Sequence, residues 1–293
     1  MTFLLRLLAK LPLKTNHAIG SGLGLLAYLF SHNFSQLTYD NLQQSGLGPN
    51  EKSFRELLSQ NISETGKGLT ELIVAWFRPE NEVANLVVEY DGWEHVEAAR
   101  KIGKGIIFIT PHLGCYDIAG RWLDSKIPTK FLYRAPKMAW VQKLMDAGRD
   151  RGKEKMVPAD VSGVRTLMKT LKQGGNISIL PDQVPGVGEG VWADFFGRPA
   201  YTMTLVTRLQ NATQAPVIYY FAERLPQGRG YKVWLQPAMA PYSDDRNTAA
   251  RQLNAALEDL IRKAPAQYLW GYNRYKTPAG VAAPEIAAEK KSS

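Results

Sequence analysis

The chain has 293 residues, 45% hydrophobic and 10% aromatic, which is ample material for a core and excludes wholesale disorder; no low-complexity linker divides it, so one domain is expected. A single cysteine, Cys115, excludes an internal disulfide framework, and four histidines scattered at 17, 32, 95 and 112 form no metal-ligand cluster, so no metal is expected. The net charge of +9 suits nucleic acid, an anionic membrane or an acidic protein partner, and by itself does not choose among them.

Residues 2 to 14 set Phe3, Leu4, Leu5, Leu7, Leu8, Leu11 and Leu13 among Arg6, Lys10 and Lys14. This is the pattern of a basic amphipathic helix that lies on a membrane surface. The apolar run from Ala18 to Phe30 carries Gly20, Gly22 and Gly24 and falls short of the ~20 residues a spanning helix needs. No small-x-small cleavage site follows Phe30, so residues 1–34 are expected to stay attached as a membrane-associating segment. An apolar helical hairpin packed on the domain would show the same pattern. From Glu51 to Phe77 the apolar spacing predicts a long amphipathic helix ended by Pro79. A strand at 86–90, a helix at 93–102 that carries His95 as a structural residue, and a strand at 105–110 follow.

The stretch Thr110-Pro111-His112-Leu113-Gly114-Cys115-Tyr116-Asp117 closes that last strand. On one continuous helix a five-residue separation would hold His112 and Asp117 about 140° apart. The histidine is therefore placed on a loop and Asp117 in the first turns of a helix that begins near Gly114. In that arrangement the carboxylate reaches one imidazole nitrogen while the other faces a pocket at the strand's carboxyl end, where ligands of open α/β sheets bind. That is a positioned general base, an assistance of roughly 10²–10⁴-fold. The spacing equally describes a satisfied loop histidine and a helix N-terminal acid favoured by the macrodipole.

Further on, strands are expected at 129–134 and 177–180, and helices at 138–149 and 161–172. The 177–180 strand ends in Pro181-Asp182-Gln183, a second polar set at a strand's carboxyl end. Residues 182–201 read as a long loop; the sequence Gly186-Val187-Gly188-Glu189-Gly190 does not sit between a strand and a helix and is not a dinucleotide turn. A helix at 202–211, a hairpin of strands at 216–221 and 231–236, and a helix at 245–263 complete the domain. Residues 277–293, rich in Ala, Pro, Lys and Ser, read as a disordered tail. The alternation of strands and helices predicts an α/β fold, a three-layer sandwich with a mixed central sheet and N-terminal helices.

In order along the chain stand Pro111-His112-Leu113-Gly114 with Asp117, Tyr133-Arg134, Leu180-Pro181-Asp182-Gln183, Phe195-Phe196-Gly197-Arg198-Pro199-Ala200 and Gln267-Tyr268-Leu269-Trp270. This set resembles the late acyltransferases of lipid A biosynthesis, over roughly residues 1 to 277, and makes residues 35–276 an acyltransferase domain. The resemblance implies a glycerolipid acyltransferase-like fold and transfer of a fatty acyl chain from acyl carrier protein, or from acyl-CoA, to a hydroxyl of a lipid A precursor. No further cofactor is implied. It places the protein at the cytoplasmic face of the cell inner membrane, against the phospholipid surface.

In that reaction His112 deprotonates the acceptor hydroxyl and Asp117 orients and charge-stabilises it. Arg134, Lys137, Arg149 and Arg151 are candidates for binding the oxyanion or lipid phosphates, as are backbone amides near Gly114 for the oxyanion; a solvated basic face is the plainer reading of those cations. Asp182, Gln183, Phe196, Trp270 and Arg274 are candidate substrate-binding residues. Asp182 and Gln183 also suit a turn, and Phe196 and Trp270 a plain core. The chain departs from the family's pattern at Ser31-His32-Asn33-Phe34-Ser35-Gln36 and at Gly271-Tyr272-Asn273-Arg274, both less basic than usual. Two other readings are an acyltransferase acting on another membrane lipid and a thioesterase with Cys115 as nucleophile. No RNA- or DNA-reading motif is present, so no nucleic-acid partner is expected.

Overall fold

The computed structural model describes residues 2–134 and 156–284. The chain opens with four helices, α1 (Thr2–Lys10), α2 (Leu13–Phe30), α3 (His32–Gln44) and α4 (Glu51–Phe77). The capping box at the start of α4 joins Asn50 Oδ1 to the Ser53 amide at 2.9 Å and the Asn50 amide to Ser53 Oγ at 3.2 Å, which satisfies amides that the helix leaves open. Pro79 stops the helix, as expected. Helices α2 and α4 touch backbone to backbone: a Cβ at Gly66 would run into the Gly20 carbonyl oxygen and the Gly24 amide. The outer face of α1 and α2 leaves Phe3, Leu4, Leu7, Leu23, Leu26, Leu29 and Phe30 exposed. No described helix is long and apolar enough to cross a membrane.

The α/β part follows, with α5 (Glu80–Ala84), β1 (Val87–Asp91), α6 (Trp93–Lys101), β2 (Ile107–Ile109), α7 (Tyr116–Lys126) and β3 (Thr129–Tyr133). Beyond residue 155 come β4 (Met156–Pro158), α8 (Val161–Lys172), β5 (Asn176–Ile179), β6 (Gly190–Phe195), β7 (Arg198–Met203), α9 (Leu205–Thr213), β8 (Val217–Arg224), β9 (Tyr231–Pro237) and α10 (Arg246–Lys263). Seven strands form one sheet in the order β1-β9-β8-β2-β5-β3-β4. Its pairs are parallel except β8 with β9, so the sheet is mixed. Alternating side chains feed two cores. Ile107, Ile109, Ile177, Ile179 and Phe221 pack with α8, α9 and α10 on one face. Ile106, Phe108, Tyr220 and Val233 pack with α6, α7 and the end of α4 on the other. At ~25 cal/mol per Å² of apolar surface, each such side chain stabilises the fold by roughly 1.5–3 kcal/mol.

The expected loop at 182–201 is a correction. Most of it is an antiparallel hairpin, β6 with β7, pairing Gly190 with Met203 through Phe195 with Arg198. Its two-residue turn puts both Phe196 (φ 48°) and Gly197 (φ 73°) in the left-handed region, a primed-turn geometry whose usual signal is Asn or Gly rather than Phe at the first position. The next helix accordingly starts at Leu205 rather than Thr202. Helices α3 and α5 and strand β4 are additional to the expected elements. Residues 277–284 lie beside the hairpin, with Trp192 Nε1 donating to the Ala282 carbonyl at 3.0 Å. The expected helix at 138–149 and residues 285–293 lie outside the described residues.

A buried polar cluster ties the N-terminal helices to the sheet. Glu71 of α4 accepts from Nε and Nη2 along one edge of the Arg224 guanidinium at the end of β8, from Tyr231 Oη at 2.6 Å, and pairs with His17 of α2 at 2.7 Å. Arg224 also bonds Glu64. Burial alone would raise the Glu71 carboxyl; the Arg224 charge and hydrogen bonds, with those of His17, outweigh it and bring it down to about 2. Arg224 in turn shows both backbone groups to one side chain, Gln267, whose Oε1 accepts at 2.8 Å and whose Nε2 donates at 3.0 Å.

Candidate active site

Strands β2 and β5 are parallel neighbours in register, Ile109 beside Ile179. His112 and Asp182 each lie three residues beyond those partners, so the register carries them to the same level above the sheet. There they meet. Asp182 Oδ1 lies 2.7 Å from His112 Nδ1, and Oδ2 accepts the His112 backbone amide at 2.8 Å. Both contacts hold the ring in one orientation. A carboxylate at Nδ1 holds the proton on that nitrogen, so that in the neutral ring the lone pair is on Nε2. Gln183 Nε2 donates to it at 3.2 Å.

Sequence spacing assigned the imidazole partner to Asp117. The structure gives Nδ1 to Asp182 instead, because strand register sets two adjacent strand ends level while Asp117 begins a helix. Asp117 stands in the first turn of α7, where Trp76 Nε1 donates to its Oδ1 at 3.4 Å. Asp182 is 2% exposed. Burial would raise its carboxyl, but the His112 charge and hydrogen bonds, followed by the Arg274 charge, hold it below the ordinary aspartate range. Tyr268 is buried beside Asp182, and burial, then the Asp182 charge, push its phenol well up.

The loop around His112 is fixed by its neighbours. Gly114 has φ 61°, and a Cβ there would run into the Ala222 carbonyl oxygen of β8. Only glycine meets both demands. The loop's amides are engaged in sequence: His112 on Asp182, Leu113 on the Pro111 carbonyl at 2.7 Å, Gly114 on the Gln267 carbonyl at 3.0 Å and Cys115 on the Ala222 carbonyl at 3.0 Å. The carbonyl of His112 accepts from the Leu269 amide at 3.1 Å. The segment 266–272 that supplies these contacts is gripped from behind. Asn61 Nδ2 donates to the Ala266 and Tyr268 carbonyls, and Asn41 Nδ2 to those of Trp270 and Tyr272. Above His112, the Tyr116 ring stands edge-on at 4.8 Å.

The other expected site residues fall in different places. Gln183 joins the histidine. Phe196 and Trp270 are packed against each other in the core, ring centroids 5.4 Å apart, and the Trp270 indole donates to the Pro265 carbonyl. Arg274 is buried rather than presented to solvent; it donates to the Tyr201 carbonyl at 2.7 Å and to Thr202 Oγ1 at 2.8 Å, and lies over Phe195. Arg134 is 60% exposed and pairs with Glu189 at 3.4 Å. Lys137, Arg149 and Arg151 lie outside the described residues. Cys115 is buried, and burial first of all raises its thiol well above the usual range, the opposite of an activated nucleophile. Tyr268 and Gln267 were missed as site supports although their motif was singled out. A tyrosine in an apolar run gives no sign that it is buried beside a carboxylate 86 residues earlier in the chain.

The sequence matches the bacterial lipid A biosynthesis acyltransferase family over residues 1–277. It is 29% identical over 278 residues to a lipid A biosynthesis lauroyltransferase of Escherichia coli, covering 94% of this chain and 90% of that protein. A lipid A biosynthesis palmitoleoyltransferase of the same organism is 27% identical over 279 residues, covering 92% and 88%. A lipid A biosynthesis acyltransferase of Haemophilus influenzae is 31% identical over 183 residues, covering 62% of this chain and 57% of that protein. The protein is thus an acyltransferase. It belongs to the bacterial lipid A biosynthesis acyltransferase family.

Proposed function

We propose that this chain moves a fatty acyl group from an acyl carrier protein thioester to a hydroxyl of a lipid A precursor, with His112 as general base. The observation that carries the proposal is the His112–Asp182 pair, a proton acceptor held at Nδ1 with Nε2 facing the Gln183 carboxamide. The acceptor hydroxyl gives its proton to Nε2 as its oxygen attacks the thioester carbon. Asp182 stabilises the imidazolium so formed, and Asp117 adds a second carboxylate at the start of α7. Collapse expels the thiolate, which takes the proton back. The thioester supplies the activation, so the step asks for no further cofactor; acyl-CoA offers the same chemistry.

The acceptor is a membrane lipid, and the exposed apolar face of α1 and α2, with Arg6, Lys10 and Lys14 beside it, suits insertion into one leaflet of anionic phospholipid. Because the carrier protein is cytoplasmic, this reading places the enzyme on the cytoplasmic face of the inner membrane. Mass spectrometry of membrane glycolipids from cells with and without the protein tests it. Loss of one acyl mass from lipid A in the deleted strain is expected; an unchanged lipid A with an altered phospholipid would give the acceptor role to another lipid.

A further inference from the structure

We infer that Gln183 supplies the oxyanion donor of this active site, its side-chain N–H binding the thioester carbonyl oxygen as that oxygen takes up negative charge. The inference rests on the acyl-transfer reading above and adds a residue that the reading leaves without a role in the chemistry.

The geometry begins at the base. Gln183 Nε2 lies 3.2 Å from His112 Nε2, the atom that must receive the proton. In a reactive complex the acceptor oxygen takes a place about 2.6–3.2 Å from that nitrogen, and the attacked carbon about 3–3.5 Å further on. The resting amide therefore occupies the position that the hydroxyl needs. A swing of one side chain clears it and brings the same N–H to the neighbouring carbonyl oxygen. The displacement that opens the base to the hydroxyl thus also frees the donor.

The nearby backbone cannot serve in its place. Each amide from His112 to Cys115 already donates within the protein, to Asp182, Pro111, Gln267 and Ala222 in turn. Recruiting one would break the loop that positions the base. Of the candidate cations, Arg134 alone falls among the described residues, and it is largely exposed and turned to Glu189. The backbone of Gln183, by contrast, is anchored on both sides: Asp182 is held twice by His112, and the Val184 amide donates to Tyr272 Oη at 3.0 Å. A fixed backbone with a half-buried carboxamide is what a donor near the reacting atoms requires.

In the step itself the hydroxyl proton passes to His112 Nε2 as the C–O bond forms. The carbonyl π pair moves onto oxygen, where the Gln183 N–H receives it. When that pair returns, the C–S bond breaks and the thiolate leaves with the proton from His112. Ester and thiol are the products.

Steady-state kinetics of the purified full chain, with acyl carrier protein thioester and lipid A precursor, compare the wild type with Gln183→Ala and with Gln183→Glu. The glutamate keeps the side chain's size and supports the fold but has no N–H to give. Loss of one such donor lowers kcat by about 10²–10³-fold. That drop is expected in both variants, with KM for either substrate changed by less than about threefold and the melting temperature preserved, as only a differential transition-state contact would give. A kcat within about threefold of wild type in either variant, or a loss confined to KM for the acceptor, overturns the inference while leaving acyl transfer intact. A wild type that transfers nothing from any thioester removes the underlying reading, and the inference with it.

Discussion

Replacing Asp182 with asparagine leaves the side chain's size unchanged and removes one charge and one acceptor. The two oxygens of Asp182 accept from the His112 amide at 2.8 Å and from its Nδ1 at 2.7 Å. Asparagine has one acceptor oxygen and one donor nitrogen, so it cannot accept both. If its oxygen stays on the backbone amide, its NH₂ faces Nδ1, and the ring must shift its proton to Nε2. The nitrogen that should take the hydroxyl proton is then already protonated. The wrong-tautomer effect in triads of this logic costs about 10⁴-fold in kcat, close to 5.5 kcal/mol at 1.36 kcal/mol per tenfold. A kcat lower by about 10³–10⁴-fold, with KM for the thioester little changed, is expected in a steady-state assay with labelled acyl carrier protein. A variant within tenfold of wild type would refute the pairing as a catalytic device. The pH dependence has a definite sign. The Asp182 pKa is lowered in the folded protein, so its contribution to stability is present above the ordinary aspartate range and lost as pH falls through the lowered value. Wild type and Asp182→Asn should converge in stability under acid, as read by denaturant midpoints across pH.

Asp117→Asn is expected to cost at least tenfold less in kcat than Asp182→Asn, since it leaves the Nδ1 contact in place; an equal or larger loss would return the orienting role to Asp117. Gly114→Ala forces a left-handed residue and drives a methyl into the Ala222 carbonyl, so both melting temperature and kcat should fall, and a variant with unchanged melting would refute the loop geometry. Glu71→Gln leaves Arg224 buried with one carboxylate fewer and should destabilise the fold by about 3–5 kcal/mol by denaturant titration. The Glu71 pKa is depressed to about 2, so the stability it contributes is present above the ordinary glutamate range and lost as pH falls toward 2. A stability difference between wild type and Glu71→Gln that grows on acidification would contradict that sign.

The parts of the fold legible in sequence were those with strong periodicity or firm punctuation. The helix at Glu51–Phe77 and that at Val161–Lys172 appear at the expected residues, because Pro79 stops the first and Gly174-Gly175 follows the second. The β6–β7 hairpin was hidden because its turn begins on Phe196 and because Gly186 and Gly188 precede it and Gly190 opens β6. At the site, His112 was legible from the strand that ends beside it, but its carboxylate partner was not. Which strand lies next to β2 is a question of topology, and no local pattern joins residue 112 to residue 182. The sign that could have pointed there was the repetition of a short apolar strand followed by proline and polar residues, Thr110-Pro111-His112 and Leu180-Pro181-Asp182. Arg274, read as a candidate substrate-binding residue, has its guanidinium enclosed by Tyr201, Thr202 and Asn254, an enclosure that no local pattern signals.

The claim that His112 is the base of an acyl transfer to a lipid A precursor meets its most direct test in one experiment. The wild-type chain and His112→Ala are incubated with acyl carrier protein thioester and the precursor, and the mass of the glycolipid is followed in time. One added acyl mass in the wild type, formed about 10²–10⁴-fold more slowly by a folded His112→Ala, is the result predicted. A His112→Ala variant within tenfold of the wild-type rate would contradict it.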